Sequence, residues 1–211
     1  MNLASFIDFT LLKADCTPGD IRLLCERALQ HQFASVCVPP FYVKQASELL
    51  ADSTVKVSTV VGFPMGYSAT PAKVEEIKKA LDEGADEVDG VVNICAIKSG
   101  NWNYVRNDVD SMTTAVHLKG KTIKIIVETG LLTPAELEKL CALALEIKPD
   151  FVKTSTGYNG EGATVASVQH LRELLQGKIK IKASGGIRTA EEATRLIEAG
   201  ASRIGSSSEL V

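Results

Sequence analysis

Three ionisable residues lie inside apolar, β-branched runs of the sequence. Asp89 lies in the run 87–93, Lys153 lies in the run 151–155, and Lys182 directly precedes the letters Ala-Ser-Gly-Gly. A charge in the middle of such a run is costly to bury alone, so Asp89 needs a cationic partner. If the runs are neighbouring strands, both amines point into one cavity and Asp89 can serve both.

Paired lysines suit nucleophilic amine chemistry. An unprotonated lysine is required, and lowering its pKa from about 10.4 to about 7 takes roughly 4.6 kcal/mol of differential interaction. A second ammonium about 5 Å away at an effective dielectric near 20 contributes on the order of 3 kcal/mol, and desolvation can supply the remainder. Imine formation is one interpretation of Lys153 and Lys182. The other is that both lysines are solvated at a rim or ion-paired, without catalytic work.

Two small-residue segments lie at the C-terminal ends of the last two predicted strands. They are Gly185-Gly186-Ile187-Arg188 and Gly205-Ser206-Ser207-Ser208. Such segments present backbone N–H groups and hydroxyls at the two strands where barrels commonly hold phosphate. A tight turn explains the Gly-Gly pair alone equally well, but the two segments together favour a phosphorylated substrate.

The elements that must position these residues alternate between short apolar runs and longer stretches of helical periodicity. We expect strands at 6–8, 35–38, 56–61, 87–93, 123–128, 151–155, 179–183 and 203–206. Eight buried strands separated by helices favour a parallel barrel over an open doubly wound sheet. We therefore predict an α/β fold, a single (β/α)₈ TIM barrel over residues 1–211, with the eighth helix short or absent. The residues above then lie at the strand ends where such barrels build active sites.

Helix starts are marked by threonines whose side chains can cap the first turn, where proline is also tolerated. The segments are Thr17-Pro18, Thr70-Pro71, Thr133-Pro134 and Thr189-Ala190-Glu191-Glu192.

Composition excludes several classes of protein. A net charge of -3 and the lack of a basic run argue against nucleic-acid binding. No run of eighteen apolar residues occurs, so we expect no membrane span. Five scattered cysteines without CxxC spacing favour a reducing cytoplasm over a disulfide scaffold or a zinc site.

Longer segments carry a family resemblance. They are Ile7 to Leu12, Val60 to Pro64, Glu87 to Gly100, Phe151 to Gly157, and Lys182 to Thr189. Together they closely resemble the deoxyribose-phosphate aldolase family over nearly the whole chain. The barrel fold of that family agrees with the strand count reached independently.

The resemblance implies a lyase that reversibly cleaves 2-deoxy-D-ribose 5-phosphate to D-glyceraldehyde 3-phosphate and acetaldehyde. It implies that Lys153 forms the imine, that Lys182 lowers the pKa of Lys153, and that Asp89 shares in proton transfer. Asp8 is expected near the substrate hydroxyls, and no metal or organic cofactor is expected. A homodimer is a candidate assembly, although the sequence does not give the oligomeric state. The phosphate is expected at Gly157, Gly185, Gly186, Gly205, Ser207 and Ser208.

The chain departs from the family at Phe9, Pro39, Gly90, Cys95 and Glu209, where His, Asn, a bulky apolar residue, Gly and Gly are usual. Gly90 follows Asp89, and Cys95 lies just beyond the same strand, which suggests an enlarged space and a new thiol near the catalytic lysine. Acceptance of bulkier or non-phosphorylated aldehydes is the hypothesis. The alternative is that Gly90 faces the helices and that Cys95 is a small buried residue.

Two other functions are compatible with the sequence. A phosphosugar isomerase or epimerase would use the same phosphate segments with a carboxylate or histidine base and no imine. A catalytically inactive barrel would only bind sugar phosphates. Two residues also stay open: Cys37, reactive or inert, and Lys180, at the bottom of the barrel or before the strand.

Overall fold

The computed structural model describes residues 2–210, which form a closed barrel of eight parallel strands in chain order. Each strand pairs with the next, and the first pairs with the last. The predicted barrel is therefore confirmed. The strands are β1 (Ile7–Thr10), β2 (Ser35–Val38), β3 (Lys56–Val61), β4 (Glu87–Val91), β5 (Thr122–Ile126), β6 (Phe151–Lys153), β7 (Lys180–Ser184) and β8 (Arg203–Ser206).

Helices follow each of the first seven strands, with two after β4. They are α1 (Pro18–His31), α2 (Val43–Leu49), α3 (Thr70–Asp82), α4 (Ile94–Lys98), α5 (Trp102–His117), α6 (Pro134–Ile147), α7 (Val165–Leu174) and α8 (Ala190–Ala199). Short 3₁₀ turns lie at Leu3–Phe6, Pro40–Tyr42 and Thr129–Leu131. After β8, residues 207–210 contain no helix. None of the described helices has the length and apolar character needed to cross a membrane.

Strand residues alternate between the helical layer and the barrel interior. In β4, Val88 belongs to the hydrophobic core, whereas Asp89 contacts lysines of other strands inside the barrel. The register aligns Asp89 with Lys124 of β5, and Lys182 of β7 with both Lys153 and Arg203. The barrel therefore holds a charged layer inside, while the apolar core lies between strands and helices.

Several strands end earlier than the sequence predicted. β4 stops at Val91 because the Asn93 side chain turns to cap α4, accepting a hydrogen bond from the backbone N–H of Ala96 at 3.0 Å. β6 stops at Lys153, although the N–H of Thr154 still donates to the carbonyl of Lys182 at 3.0 Å. Apolar runs thus extend past the regular strands into the loops that build the site.

Three of the four predicted threonine caps are confirmed, each with a reciprocal capping box: Thr17, Thr133 and Thr189. The prediction for Thr70 is wrong, because α3 begins at Thr70 itself and Ala69 precedes it without a side-chain cap. The Thr70 hydroxyl instead donates to Asp108 at 2.9 Å. Asp108 is fully buried with Lys73, so the Thr70 side chain is turned towards this buried carboxylate and not towards the N–H groups of the first helical turn.

Candidate active site

Asp89 is fully buried at the centre of a cluster of three lysines. Its Oδ2 accepts hydrogen bonds from Lys153 Nζ at 2.8 Å and from Lys182 Nζ at 2.7 Å. Its Oδ1 accepts one from Lys124 Nζ at 2.8 Å. Because Lys153 and Lys182 share one oxygen atom, their nitrogens are at most two hydrogen-bond lengths apart. The structure thus brings together the two amines and the carboxylate that the strand pattern selected.

Asp8 is a second carboxylate that contacts Lys182. Lys182 Nζ is 2.5 Å from Asp8 Oδ2. Asp8 Oδ1 accepts hydrogen bonds from Ser35 and from Arg203, both at 2.6 Å. Asp8 has no exposed surface and does not line the cavity described below. It therefore contacts the site through Lys182.

Lys124 and Glu87 complete the charged layer. Lys124 Nζ lies 2.6 Å from Glu87 Oε2 and donates to Ser58 at 3.2 Å, and Arg203 lies 3.2 Å from Glu87. Asp8, Glu87 and Asp89, the carboxylates of this layer, are each paired with at least one cation, which offsets the cost of removing these charges from water. Among residues 2–210, no three or more His, Cys, Asp and Glu side chains are arranged to hold a metal ion.

The protonation equilibria of the two central amines are shifted in opposite directions. Burial lowers the pKa of Lys153, and the Lys182 ammonium lowers it further, against the opposing effect of Asp89. Burial also opposes the charge on Lys182, but Asp8 and Asp89 outweigh it and raise the pKa of Lys182. Asp89 is desolvated too, yet Lys124, Lys153 and Lys182 hold its pKa well below the usual range. The site therefore pairs an amine whose deprotonation is favoured by its surroundings with one whose protonated form is favoured.

A cavity of about 300 Å³ opens at the C-terminal ends of the strands. Lys153 lines it, whereas Lys124, Lys182 and Asp89 do not. A substrate in this cavity thus meets the amine of Lys153 first, with Lys182 and Asp89 one contact further inside.

The predicted phosphate segments form one wall of this cavity: Gly157, Gly185, Gly186, Gly205 and Ser207. Gly185 and Gly186 have φ angles of +92° and +78°, a conformation that side chains disfavour. A Cβ at Gly205 would lie 2.2 Å from the Ser184 hydroxyl. Ser208 does not line this cavity; it lines a neighbouring cavity of about 750 Å³ that contains none of the three lysines.

The model of the DeoC/LacD family of aldolases matches residues 4–208. The chain belongs to this family. It is 48% identical to a deoxyribose-phosphate aldolase of Caldicellulosiruptor saccharolyticus, over 98% of this chain and 94% of that protein. It is also 48% identical to a deoxyribose-phosphate aldolase of Thermococcus gammatolerans, over 99% of this chain and 93% of that protein.

Solved structures of aldolases share the fold. The tetrameric deoxyribose phosphate aldolase of Aeropyrum pernix superposes with a TM-score of 0.91 at 32% identity, covering 99% of this chain and 88% of that one. The aldolase QR15 superposes with a TM-score of 0.93 at 37% identity, covering 99% and 92%.

Sequence reasoning missed three members of the charged layer in this DeoC/LacD aldolase: Lys124, Glu87 and Arg203. A signal existed for Lys124, because it is the one charge in the apolar segment Ile-Lys-Ile-Ile and is in phase with the strand interior. Arg203 and Glu87 lie at strand starts, where a charged residue is ordinarily solvated. Only the closure of the barrel, which pairs β8 with β1, brings Arg203 to Asp8.

Gly90 does not enlarge the site. A Cβ on Gly90 would lie 2.8 Å from Met112 Sδ of α5 and 3.7 Å from Ile123 Cδ1. The residue therefore faces the helical layer, and the Met112 side chain fills the space beside it. The alternative of outer-layer packing is confirmed, and the enlarged-cavity hypothesis for Gly90 is wrong.

Cys95 and Glu209 also lie apart from Lys153. Cys95 is exposed on α4 and does not line the cavity, so it is neither a thiol beside the lysine nor a small buried residue. Glu209 forms an ion pair with Arg27 and lies 3.6 Å from His31. Arg27 thereby compensates the charge that Glu209 would otherwise present near the phosphate segments.

Phe9 and Pro39 have local packing roles. The Phe9 ring is buried 5.2 Å from the ring of Phe33, between centroids, and lines the neighbouring cavity with Ser208. Pro39 precedes the 3₁₀ turn Pro40–Tyr42. Nothing in the structure explains why proline occupies this position.

The structure shows the surroundings of Cys37 and Lys180, for which the sequence allowed two interpretations each. Cys37 is fully buried inside the barrel, and burial raises the pKa of its thiol despite the nearby lysines, so the thiolate that would attack aldehydes is disfavoured. Lys180 is exposed at the start of β7, with Nζ 5.4 Å from the centre of the Phe151 ring. Lys180 therefore lies at the bottom of the barrel, away from the cavity.

Proposed function

We propose that this aldolase reversibly cleaves 2-deoxy-D-ribose 5-phosphate to D-glyceraldehyde 3-phosphate and acetaldehyde through an imine on Lys153. One observation carries the assignment of the nucleophile: Lys153 lines the cavity, and its nitrogen shares Asp89 Oδ2 with the nitrogen of Lys182. The curated relatives that match nearly the full chain support the substrate.

The first half of the reaction builds the imine. The lone pair of neutral Lys153 Nζ attacks the C1 aldehyde carbon of the open-chain sugar and forms a carbinolamine. The carbinolamine hydroxyl is protonated and leaves as water, giving an iminium ion. The protonated Lys182 is the proton donor, and Asp89 carries protons between the two amines because both bind the same oxygen.

The second half breaks the carbon–carbon bond. Removal of the proton from the C3 hydroxyl lets the C2–C3 electron pair move to the iminium nitrogen, which acts as the electron sink. D-glyceraldehyde 3-phosphate leaves, and an enamine stays on Lys153. Protonation of C2 followed by hydrolysis releases acetaldehyde and restores the amine.

The phosphate of the substrate is assigned to the glycine and serine wall of the cavity. Arg188 and Lys13 line the same cavity and add two positive charges to its lining. We assign Gly157, Gly185, Gly186, Gly205 and Ser207 to phosphate binding. Ser208 is one residue removed from the cavity wall, and its N–H donates to Ser206 at 3.0 Å, so its contribution is to shape the loop.

Borohydride trapping tests the proposal. Protein incubated with acetaldehyde and sodium borohydride is expected to gain one ethyl group on Lys153, located by peptide mass spectrometry. A Lys153→Met variant is expected to gain none at this position, and Lys180→Met is the matched control because Lys180 belongs to the neighbouring strand but lies at the bottom of the barrel. An isomerase or an inactive binding barrel would give no adduct on Lys153, and that result would refute the proposal.

We further propose that the enzyme acts in the cytoplasm and assembles as a homo-oligomer. All five cysteines are unpaired, which suits a reducing compartment. The Aeropyrum pernix relative is a tetramer, whereas the sequence led us to consider a dimer. Light scattering of the purified protein distinguishes the two assemblies.

A further inference from the structure

The segment 157–162, which we name the β6 arch, lies between β6 and α7, and its residues Gly157 and Tyr158 line the cavity. Its first end is fixed by Thr156, whose hydroxyl and N–H donate to the buried carboxylate of Glu128 at 2.5 and 3.0 Å. Its second end is fixed by the N–H of Ala163, which donates to the carbonyl oxygens of Ser184 and Gly185 at 3.0 and 3.2 Å. The arch is thus anchored at both ends without using the side chains of its tip.

The tip of the arch reaches the loops on the opposite side of the mouth. The Tyr158 hydroxyl donates to the carbonyl of Leu12, in the loop after β1, at 2.9 Å. The Tyr158 ring packs edge-on against Phe63, in the loop after β3, with 5.3 Å between ring centres. The neighbouring Asn159 donates to the carbonyl of Pro64 at 3.1 Å. Tyr158 therefore links the β6 arch to two other loops, those after β1 and β3.

Tyr158 has two environments at once. It lines the cavity that contains Lys153, yet it is 55% exposed to solvent. A ring with one side on the cavity and the other on water is part of the wall that separates them. Because its hydrogen bond to Leu12 is exposed, that bond contributes little to folding. The position of the ring therefore affects access to the cavity more than it affects the stability of the fold.

We propose that Tyr158 is a specificity-determining residue whose ring closes the mouth of the cavity and limits the bulk of the aldehyde acceptor. This inference rests on the proposed aldol chemistry at Lys153. The hydroxyl bond to Leu12 and the contact with Phe63 hold the ring across the mouth, so that a small acceptor fits beneath it and a branched or aromatic one collides with it. Unlike Gly90, which faces the helices, Tyr158 directly borders the space where substrates bind.

The experiment compares Tyr158→Ala with the unmodified enzyme, using acetaldehyde as donor and two uncharged acceptors, propanal and 3-phenylpropanal. Neither acceptor carries phosphate, so the phosphate wall does not contribute to the comparison. We expect Tyr158→Ala to raise the ratio of kcat/KM for 3-phenylpropanal over propanal by about tenfold, a size typical of a changed hydrophobic pocket. Tyr158→Phe keeps the ring and loses only the bond to Leu12, so we expect a smaller rise. Phe41→Ala, at an 84% exposed aromatic outside the cavity, is the matched control with no expected change.

Failure of the inference and failure of the proposed function give different results. If the unmodified enzyme forms no borohydride-trapped adduct of acetaldehyde on Lys153, the proposed function fails and the inference fails with it. If the adduct forms but Tyr158→Ala leaves the acceptor ratio unchanged, the function stands and the inference alone is overturned. Loss of the adduct in Tyr158→Ala would also overturn it, because Tyr158 would then be needed for the lysine chemistry itself. A raised ratio with the adduct intact supports it.

Discussion

Asp89 is the residue on which the charges of the barrel interior converge. Its two oxygens accept hydrogen bonds from three lysines of three different strands, and it has no exposed surface. Lys182 is further held by Asp8, which favours its charged form, whereas within residues 2–210 Lys153 has only Asp89 as an anionic partner. This unequal sharing explains why the pKa values of the two lysines are shifted in opposite directions.

Replacement of Lys182 by methionine tests that unequal sharing. The Lys182 ammonium lowers the pKa of Lys153, so its removal is expected to raise that pKa. Because the reaction requires neutral Lys153, the acidic limb of the profile of kcat/KM against pH is expected to move to higher pH. The loss of proton transfer is expected to lower kcat by about 100-fold or more.

The control for Lys182→Met is Lys180→Met, which removes an exposed lysine from the same strand. Rates of sugar-phosphate cleavage measured from pH 5 to 10 give both quantities. A Lys182→Met enzyme with full activity and an unmoved acidic limb would contradict the role assigned to Lys182.

Lys124 is the residue whose removal should matter most for stability. It is fully buried and pairs with Glu87 and Asp89 at 2.6 and 2.8 Å. Lys124→Met would leave these carboxylates partly uncompensated, and breaking a buried pair in this way typically costs about 3–5 kcal/mol. Urea-induced unfolding followed by circular dichroism measures the change in the free energy of unfolding.

An exposed ion pair between a lysine and an aspartate provides the comparison for Lys124. Lys119 lies 3.3 Å from Asp82 with more than half of each side chain exposed, and Lys119→Met should change the free energy of unfolding by less than about 1 kcal/mol. Equal effects of the two substitutions would show that the buried layer does not stabilise the fold.

At the scale of elements, the contact between β4 and α5 is expected to affect the stability of the protein but not its choice of acceptor. Gly90 gives Met112 room to pack on the strand, because a Cβ would lie only 2.8 Å from its sulfur. Gly90→Leu is therefore expected to destabilise the protein by about 1–3 kcal/mol through overpacking. The relative kcat/KM for phosphorylated and non-phosphorylated acceptors is expected to stay unchanged.

The double variant Gly90→Leu with Met112→Ala is the control for this contact. It adds a larger side chain on the strand and removes most of the Met112 side chain on the helix. It should therefore recover part of the stability lost in the single variant. Thermal melts and acceptor assays of both variants provide the data. A change of acceptor preference in Gly90→Leu at unchanged stability would place this position in the site after all.

The alternation of elements was predictable because the strands are locally apolar and several helices carry their own start signal. Thr17, Thr133 and Thr189 cap as expected, since their partners lie three residues away in the same helix. Thr70 does not cap, because its hydroxyl finds Asp108, which is 38 residues away. Local signals predict an element well until a buried group from a distant element competes for the same atom.

At the scale of the whole molecule, the barrel concentrates charge from distant parts of the chain. Arg203 reaches Asp8 across 195 residues, and Lys182 reaches Asp89 across 93. Sequence periodicity selected Asp89, Lys153 and Lys182 because they interrupt apolar strands. It could not select Arg203, because nothing local distinguishes that arginine from a solvated one until β8 closes on β1. The closure of the barrel also determines which loops border the cavity, so the sequence did not predict that Tyr158 lines it.

The distribution of perturbed carboxylates predicts how the whole molecule responds to acid. The pKa values of Asp8 and Asp89 are held below the usual value because Lys124 and Lys182 outweigh the effect of burial. Their contribution to stability is fully present above the pKa of the unfolded state, near 4, and is lost as the pH falls below it, since the unfolded chain then binds more protons. The free energy of unfolding should therefore be nearly constant from pH 7 to 5. It should then fall by about 1.4 kcal/mol per pH unit for each such carboxylate.

Urea unfolding at a series of pH values measures this slope. Asp8→Asn should be less stable at pH 7 and should lose stability less steeply below pH 4, whereas an unchanged slope would mean that Asp8 titrates normally in the folded protein.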